Sequence, residues 1–249
     1  MKTFGLIGNR LGYSFSRNFF TEKFNLESLA DQEYVNFELD SIEQFPGIFD
    51  QGKEICGLNC TIPYKQQIMT FLDEIDPEAA QIGAVNTVKI TYDNGNRYLK
   101  GFNTDIYGFE HSLRPMLDAR HTKALILGTG GASKAIKHIL SKLQIEFISA
   151  TIDDQCFENE IRYNEINEQV MKECLIIVHA TPVGTFPNVD DCPAIPYHFI
   201  AEDHVCFDLV YNPEETFFLK KAKVQGAQTK NGLEMLHLQA LKAWEIWNS

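Results

Sequence analysis

The sequence predicts an α/β protein made of two units, and three observations indicate this fold class. Segments with the patterns of strands and helices alternate along the first part of the chain, and a second alternation begins at Thr122. An Asn-Gly hairpin signal closes the first alternation, and a glycine turn opens the second. With 249 residues, of which 44% are hydrophobic, the chain can form two cores.

Apolar and alternating segments predict the strands of the first unit at residues 3–8, 34–39, 55–62, 84–92 and 97–102. Asp93-Asn-Gly95 joins the last two strands as a hairpin turn. Ser41 suits a helix cap, and Pro63 suits a first helical position. These signals, with helical apolar spacing, predict helices at residues 17–29, 42–50, 64–75 and 77–82.

The second unit begins with a helix that Asn103 or Thr104 can cap and that runs to Leu117. Short apolar runs predict strands at residues 123–127, 146–150, 175–180, 205–210 and 226–229. Helical patterns occupy residues 132–143, 214–225 and 233–247. Residues 151–173 are polar, and we predict an irregular segment there with at most one helix.

The glycine turn predicts a Rossmann-like dinucleotide-binding unit. Gly128, Gly130 and Gly131 stand between a buried strand and a helix, and Ser133 occupies the third small position of the G-x-G-x-x-G pattern. Glycine lets a pyrophosphate approach the backbone, and the start of the following helix offers N–H groups and a favourable dipole. A glycine-rich turn without a ligand is the alternative for this segment taken alone.

Composition excludes several other classes of function. Acidic residues outnumber basic ones by 34 to 22, and no Lys/Arg run offers a nucleic-acid surface. We find no leader and no membrane-length apolar run, so we expect no membrane partner and a cytoplasmic location. The six cysteines lack paired spacing and are expected to be reduced, mostly buried thiols. The seven histidines show no metal-binding spacing, so no metal is expected.

Polar side chains follow several predicted strands, where a ligand would lie beside a dinucleotide. They supply amides, hydroxyls, one ammonium and one carboxylate, a set that suits a small polyhydroxylated molecule. A Lys/Asp pair beside a nicotinamide can act as general acid and base for the hydroxyl proton of an alcohol that is being oxidised. The residues are Asn59, Thr61, Lys65, Asn86, Thr87, Asn103, Thr104 and Asp105.

Seven separated motifs, taken together, resemble the shikimate dehydrogenase family over essentially the whole chain. In order they are Ser14-Phe-Ser16, Asn59-Cys-Thr-Ile-Pro-Tyr-Lys65, Gly83-Ala-Val-Asn-Thr87, Gly101-Phe-Asn-Thr-Asp105, Gly128-Thr-Gly-Gly-Ala-Ser133, Ala180-Thr-Pro-Val-Gly184 and Asn231-Gly-Leu-Glu-Met-Leu-His-Leu-Gln239. The resemblance implies an NAD(P)-dependent oxidoreductase that interconverts 3-dehydroshikimate and shikimate in the pathway to aromatic amino acids.

The resemblance also implies roles for individual residues. Lys65 and Asp105 match the family's catalytic pair. Asp105 would orient Lys65, and Lys65 would donate a proton as hydride reaches the carbonyl carbon. Which of the two residues is the formal acid stays open. Substrate contacts are implied for Ser14 and Ser16 (carboxylate), for Asn59, Thr61, Asn86 and Gln239 (ring hydroxyls), and for Tyr211. Cofactor contacts are implied for Gly128, Thr129, Gly130, Gly131, Ala132, Ser133, Thr181 and Gly232.

The family layout implies a substrate domain at residues 1–104, completed by the helix at 233–249, and a Rossmann-like NAD(P)-binding domain at 105–232. A cleft between the two domains would close over the small-molecule substrate, excluding water from the reaction. We expect a monomer or a homodimer.

One departure concerns the cofactor, which the resemblance implies is NADP or NAD. Enzymes that prefer NADP usually carry Asn-Arg-Thr after the second strand of this domain, whereas residues 149–154 here contain no arginine. Asp153 and Asp154 would repel a 2′-phosphate, so we expect a weak or reversed preference for NADP. Lys134 or Arg162 would be the alternative phosphate contacts.

A second departure is His179, where the family often has asparagine or serine.

Two other interpretations remain open from the sequence. The chain resembles family members that oxidise quinate or a similar acid, which kinetics on both acids would distinguish. A non-catalytic protein that binds shikimate or nucleotide as a regulator would need a broken catalytic pair, and Lys65 and Asp105 are both present.

Overall fold

The structure, a computed structural model, describes residues 1–12, 15–153 and 155–249. The chain folds into two compact units. The first unit comprises Met1–Thr104 and Ala240–Ser249, and the second comprises Asp105–Gln239. The first unit is therefore built from two separate stretches of sequence.

A six-stranded sheet organises the first unit. Its strands are β1 (Lys2–Gly8), β2 (Gln32–Glu38), β3 (Glu54–Cys60), β4 (Glu74–Ile75), β5 (Thr87–Asp93) and β6 (Asn96–Phe102), in the order β2-β1-β3-β5-β6-β4. The strands β1, β2 and β3 are parallel, and β5 is antiparallel to both β3 and β6. The β5–β6 hairpin is confirmed, with positive φ at Asn94 (50°) and Gly95 (82°), as a tight turn of the predicted kind requires.

In the described part of the chain, two α-helices lie wholly within the first unit: α1 (Phe15–Leu26) and α2 (Pro77–Ile82), the second with the predicted bounds. The helix predicted at residues 42–50 is instead a 3₁₀ helix, Ile42–Gln51, with Pro46 inside it. A proline supplies no N–H for an α-helical hydrogen bond.

The α-helix predicted at residues 64–75 is wrong. A 3₁₀ helix, Gln67–Phe71, occupies its middle, and β4 occupies its end. The edge of β6 explains the difference, because Glu74 and Ile75 pair with Lys100 and Gly101. The carboxylate of Asp73 also accepts a hydrogen bond from the Leu99 N–H at 2.8 Å. Pairing with a strand distant in sequence outweighs local helical spacing here.

The second unit has a parallel sheet of six strands. They are β7 (Lys123–Leu127), β8 (Glu146–Thr151), β9 (Glu160–Arg162), β10 (Ile176–His179), β11 (Val205–Asp208) and β12 (Gln228–Lys230), in the order β12-β11-β10-β7-β8-β9. The helices are α3 (Asp105–Leu113), α4 (Gly131–Lys142), α5 (Glu168–Glu173), α6 (Phe217–Val224) and α7 (Leu233–Asn248).

The strand order of the second unit is that of a doubly wound dinucleotide-binding fold. Counted along the chain from β7, the sheet runs 3-2-1-4-5-6. Its switch point therefore lies between β7 and β10, and ligands of such sheets bind at the carboxyl ends of those strands. The predicted α/β fold class is confirmed, whereas β9 lies in the stretch expected to be irregular.

The helix α7 begins in the second unit and ends in the core of the first. There, Trp247 packs against Phe4 and Phe20, and its indole N–H donates to the Val88 carbonyl at 3.0 Å. Gly57 allows this approach, because a Cβ at that position would lie 2.5 Å from the indole ring. The first unit thus needs residues from both of its stretches to fill its core.

Within the described ranges, none of the helices combines the length and the apolar character needed to cross a lipid bilayer.

All six cysteines are free thiols; three are buried, at positions 60, 174 and 206. Burial raises the pKa of Cys174 to about 12 and keeps its thiol protonated.

Candidate active site

In the first unit, Asn59 is held in one orientation by buried hydrogen bonds. The Tyr34 hydroxyl donates to Asn59 Oδ1 at 2.8 Å. The Asn59 amide then donates to Thr87 Oγ1 at 3.2 Å and to the Asn86 carbonyl at 3.4 Å. Because Oδ1 can accept a second hydrogen bond, the oriented amide can still bind a ligand hydroxyl.

The side chain of Asn86 forms the other half of this network. Its Oδ1 accepts from the Thr104 N–H at 2.7 Å and from Thr87 Oγ1 at 3.1 Å. Its backbone N–H donates to the Phe102 carbonyl at 3.0 Å, and its carbonyl accepts from the Cys60 N–H at 2.8 Å. The end of β3, the start of β5 and the end of β6 therefore meet at Asn86, which is 3% exposed.

Thr61 and Lys65 follow β3 in a turn that is tied to the same region. The Thr61 N–H donates to the Ile7 carbonyl at 2.9 Å, and the Val85 N–H donates to the Lys65 carbonyl at 2.7 Å. Lys65 is half-buried and lies one residue after Tyr64, whose hydroxyl donates to the Leu39 carbonyl at 2.6 Å. The backbone of Lys65 is thus attached to the segment that carries Asn86.

Ser14 lies outside the described residues, whereas Ser16 is the second residue of α1. The side chain of Ser16 hydrogen-bonds the Tyr34 hydroxyl. Burial raises the pKa of Tyr34 well above its ordinary value, so the hydroxyl stays a neutral donor. Tyr34 therefore links Ser16 to Asn59, a role that the alternating pattern of β2 did not indicate.

In the second unit, the glycine turn leaves the start of α4 open to an anion. Gly130 caps the helix without a side-chain hydrogen bond, and the first turn contains no acidic residue. Ser133 Oγ donates to the Gly130 carbonyl at 2.6 Å and so stabilises the turn itself. Uncapped N–H groups at the start of a twelve-residue helix fit the pyrophosphate of a dinucleotide.

Gly128 brings the turn against the segment after β10, across the switch point. Its φ is +112°, and a Cβ there would lie 2.7 Å from Thr181 Cγ2. The turn and Thr181, both predicted cofactor contacts, are therefore adjacent. Thr129 is half-buried and Gly130, Gly131 and Ala132 are at least partly exposed, so this stretch is accessible to a ligand.

A buried network at the ends of β10 and β11 fixes Thr181. His179 Nε2 lies 2.6 Å from Thr181 Oγ1, and His179 Nδ1 lies 3.0 Å from Asp208 Oδ1. The other oxygen of Asp208 accepts from Thr216 Oγ1 at 2.5 Å, and Oδ1 also accepts from the Val210 N–H at 2.9 Å. The sequence marked His179 as a departure but did not indicate Asp208 as its partner.

The remaining predicted residues of the second unit lie on its helices and loops. Asp105 is the first residue of α3 and is half-buried, and Tyr211 is half-buried in the loop after β11. Gly232 donates its N–H to the Val210 carbonyl at 3.2 Å, and a Cβ there would lie 2.2 Å from the Leu209 carbonyl oxygen. Gln239, 7% exposed, donates to the Leu236 carbonyl at 3.0 Å.

The end of β8, where a dinucleotide ribose is expected, carries no basic side chain of its own. Ala150 and Thr151 are buried, and the Asp153 N–H donates to Thr151 Oγ1 at 3.1 Å. Asp154 lies outside the described residues. The neighbouring strand β9 places Arg162 directly beside Thr151 in the parallel register.

Comparison with known proteins identifies the family. A family model described as the shikimate dehydrogenase substrate binding domain matches residues 6–88. The shikimate dehydrogenase (NADP(+)) of Methanococcus aeolicus is 36% identical over 260 residues, which cover 99% of this chain and 91% of the relative.

Solved structures extend the similarity to the whole fold. Shikimate dehydrogenase 1 from Peptoclostridium difficile is 37% identical, with a TM-score of 0.81 over 100% of this chain and 92% of that one. Shikimate 5-dehydrogenase from Listeria monocytogenes, solved with shikimate and NAD, is 28% identical, with a TM-score of 0.85 over 99% and 91% of the two chains. With this sequence identity over nearly its full length, the chain belongs to the shikimate dehydrogenase family.

Proposed function

We propose that this chain catalyses the reversible oxidation of shikimate to 3-dehydroshikimate with NADP or NAD, the reaction that its family relatives are named for. The buried amide–hydroxyl network around Asn59 and Asn86 carries the proposal. It presents oriented amides and hydroxyls, with few charges, at the ends of three strands. Such a surface suits a ring with several hydroxyl groups.

We assign the substrate to the first domain, residues 1–104 completed by the helix at 233–249, and the cofactor to residues 105–232. Ser14 and Ser16 bind the carboxylate in this assignment. The other substrate contacts are Asn59, Thr61, Asn86, Tyr211 and Gln239. The cofactor contacts are Gly128, Thr129, Gly130, Gly131, Ala132, Ser133, Thr181 and Gly232.

Lys65 and Asp105 are the proposed catalytic residues. The residues assigned to the cofactor would hold NADP or NAD, which would supply the hydride acceptor for oxidation of the alcohol and, in its reduced form, the hydride donor for the reverse reaction. In the reducing direction, Lys65 gives a proton to the carbonyl oxygen as the alcohol forms. Asp105 orients the Lys65 ammonium by accepting a hydrogen bond from it. The same proton returns to the lysine amine when shikimate is oxidised.

Steady-state oxidation of shikimate, followed by NAD(P)H absorbance with each cofactor in turn, tests the activity. We expect Lys65→Ala and Asp105→Asn each to lower kcat by about a hundredfold or more, because positioned proton transfer contributes about 10²–10⁴-fold. Lys53→Ala is the matched control, since Lys53 pairs with Glu33 at the surface of the first unit. Unchanged kcat in either variant would remove that residue from the catalytic pair, and activity on quinate alone would contradict the proposed substrate.

A further inference from the structure

We propose that His179 is a positioning residue for the cofactor, which acts by holding the Thr181 hydroxyl as a hydrogen-bond acceptor at the edge of the dinucleotide site. The group from which Thr181 accepts is a hydrogen-bond donor in the nicotinamide half of the cofactor. The inference rests on the proposed function, because it concerns the cofactor of the same reaction. It assigns a role to a residue that the sequence marked only as a departure from the family.

His179 is held within a buried chain of hydrogen bonds. His179 and Asp208 are both 0% exposed, and His179 Nδ1 lies 3.0 Å from Asp208 Oδ1. The Asp208 carboxylate also accepts from the Val210 N–H at 2.9 Å and from Thr216 Oγ1 at 2.5 Å. Thr216 is itself the N-cap of α6, where its hydroxyl accepts from the Leu219 N–H at 3.3 Å. The imidazole is therefore oriented by a carboxylate that two further groups keep in place.

The partners of His179 determine which atom of its ring donates. An ionised carboxylate only accepts, so the single N–H of the neutral imidazole lies on Nδ1, beside Asp208. Nε2 then carries no hydrogen and accepts. Because Nε2 lies 2.6 Å from Thr181 Oγ1, the Thr181 hydroxyl donates its only hydrogen to His179.

This hydrogen bond leaves the Thr181 hydroxyl able to accept but not to donate. A hydroxyl oxygen has two lone pairs. Among the described residues, the Val183 N–H, at 3.3 Å, uses one of them, and the other remains for a ligand. Thr181 is half-buried, and Pro182 and Val183 after it are exposed, so a ligand can reach this oxygen.

The methyl group of Thr181 is held as well. Gly128 approaches so closely that a Cβ there would lie 2.7 Å from Thr181 Cγ2. The heavy atoms of a threonine side chain turn about one torsion angle only, so contacts to both the methyl group and the hydroxyl select a single rotamer. The hydroxyl therefore meets a ligand with little conformational entropy left to lose.

The place of Thr181 in the sheet indicates which half of the cofactor it meets. A doubly wound sheet binds one mononucleotide on each side of its switch point, which here lies between β7 and β10. The adenosine ribose is expected at the end of β8, so the other half lies on the β10 side, where Thr181 follows the end of the strand at His179. Ionised phosphate oxygens carry no hydrogen, whereas the nicotinamide half offers ribose hydroxyls and a carboxamide as donors. An acceptor at Thr181 suits these donors.

Binding of NADPH and of NADH without shikimate, followed by nicotinamide fluorescence, tests the role of His179. In His179→Asn, the amide nitrogen stands one bond from Cγ, as Nδ1 does, so the donor to Asp208 is kept. Asparagine is too short to reach Thr181, so the acceptor for the hydroxyl is lost. We expect the Kd of the cofactor to rise about fivefold.

A double-mutant cycle with Thr181→Val shows whether the effect passes through the Thr181 hydroxyl. Valine keeps a methyl group beside Gly128 and removes the hydroxyl, so this variant should also raise Kd about fivefold. Adding His179→Asn to Thr181→Val should then raise Kd no further. Independent losses, which multiply to about twenty-five-fold, would overturn the inference.

Shorter ligands, measured by calorimetry, locate the donor on the cofactor. AMP lacks the nicotinamide half, so His179→Asn should leave its Kd unchanged; an equal loss for AMP would overturn the inference. ADP-ribose has the second ribose but no carboxamide. A loss shared by ADP-ribose assigns the donor to a ribose hydroxyl, and a loss confined to the whole cofactor assigns it to the carboxamide. Both results support an acceptor at Thr181.

His204→Asn is the matched control. His204 is a buried histidine of the same unit, 3% exposed, whose Nε2 lies 2.9 Å from the Met171 carbonyl oxygen. It precedes β11, at the edge of the parallel sheet opposite to Thr181. This variant should lower the free energy of unfolding in urea without changing Kd. A similar rise of Kd in His204→Asn and His179→Asn would assign the effect to the fold and overturn the inference.

The inference and the proposed function can fail separately. An unchanged Kd in His179→Asn would overturn the inference and leave the proposed reaction intact if shikimate is still oxidised. Absence of shikimate oxidation, in a protein whose cofactor affinity depends on His179 and Thr181, would overturn the proposed function alone. An unmodified protein that binds neither NADPH nor NADH would overturn both.

Discussion

At the scale of single residues, the Tyr34 hydroxyl is predicted to set the affinity for shikimate through Asn59. Tyr34→Phe keeps the ring, which stacks on Phe20 at 4.7 Å, and removes the donor to Asn59 Oδ1. The amide then loses its fixed orientation. We expect KM for shikimate to rise about fivefold, equivalent to about 1 kcal/mol, with little change in KM for the cofactor.

Tyr64→Phe is the matched control for this change. Tyr64 is another buried tyrosine of the same unit, and its hydroxyl donates to the Leu39 carbonyl at 2.6 Å. Its loss should lower the free energy of unfolding by about 1 kcal/mol and leave KM for shikimate unchanged. Equal KM values for Tyr34→Phe and the unmodified enzyme would contradict a positioning role for Tyr34.

His179 is predicted to stabilise the second unit through Asp208. His179→Ala removes one of three donors to a carboxylate that is fully buried, so the remaining charge is poorly compensated. We expect the free energy of unfolding to fall by about 2–4 kcal/mol in urea denaturation. His179→Asn, which keeps an N–H donor, should lose less; an equal loss in both variants would assign the effect to packing alone.

At the scale of elements, Gly128 is predicted to matter for the cofactor as well as for stability. Gly128→Ala places a side chain at positive φ, at a cost of about 1–2 kcal/mol, and also pushes against Thr181. Cofactor affinity, measured by titration, should therefore fall. Gly226→Ala shares the positive φ, but its nearest contact would be 3.6 Å away. Gly226→Ala should therefore lower the free energy of unfolding without lowering the affinity for the cofactor. An equal loss of cofactor affinity in both variants would contradict a role for the glycine turn at Gly128.

Elements with strong local signals were predictable from the sequence. The hairpin at Asp93-Asn-Gly95, the helix Pro77–Ile82 and the strand–turn–helix around Gly128 depend on residues adjacent in the chain. The strands β4 and β9 are two and three residues long, and each exists because it pairs with a neighbour. Such short segments have no periodicity of their own to recognise.

In the candidate site as well, residues in local motifs were predictable from the sequence, whereas residues that act through distant partners were not. Asn59, Asn86 and Thr181 belong to recognisable motifs, and the structure places the first two in one hydrogen-bonded network. Tyr34 and Asp208 contribute through partners 25 and 29 residues away in sequence. Nothing in the local pattern distinguishes such a tyrosine or aspartate from ordinary strand residues. Hydrogen bonds between residues so distant in sequence can be identified only from the folded structure, in which the strands lie side by side.

At the scale of the whole molecule, the last turns of α7 are predicted to hold the first unit together. Trp247→Ala removes a side chain that contacts Phe4, Phe20 and Tyr34, together with a hydrogen bond to Val88. We expect the free energy of unfolding to fall by about 3–5 kcal/mol, measured by chemical denaturation. Leu241→Ala, at a site on the same helix that is 44% exposed, should have little effect. Similar losses would contradict the assignment of Trp247 to the core.

The division of the first unit into two stretches has a consequence for protein synthesis. The ribosome makes residues 1–104 first and then the whole of the second unit before it reaches Ala240. At about 5–20 residues per second, Trp247 is synthesised roughly 10–30 seconds after the first stretch, and the aromatic surface around Phe4 and Phe20 stays uncovered until then. The second unit can complete its fold in that interval, so the earlier-made unit matures last. A nascent chain interrupted before Ala240 leaves this surface uncovered and open to chaperones and proteases.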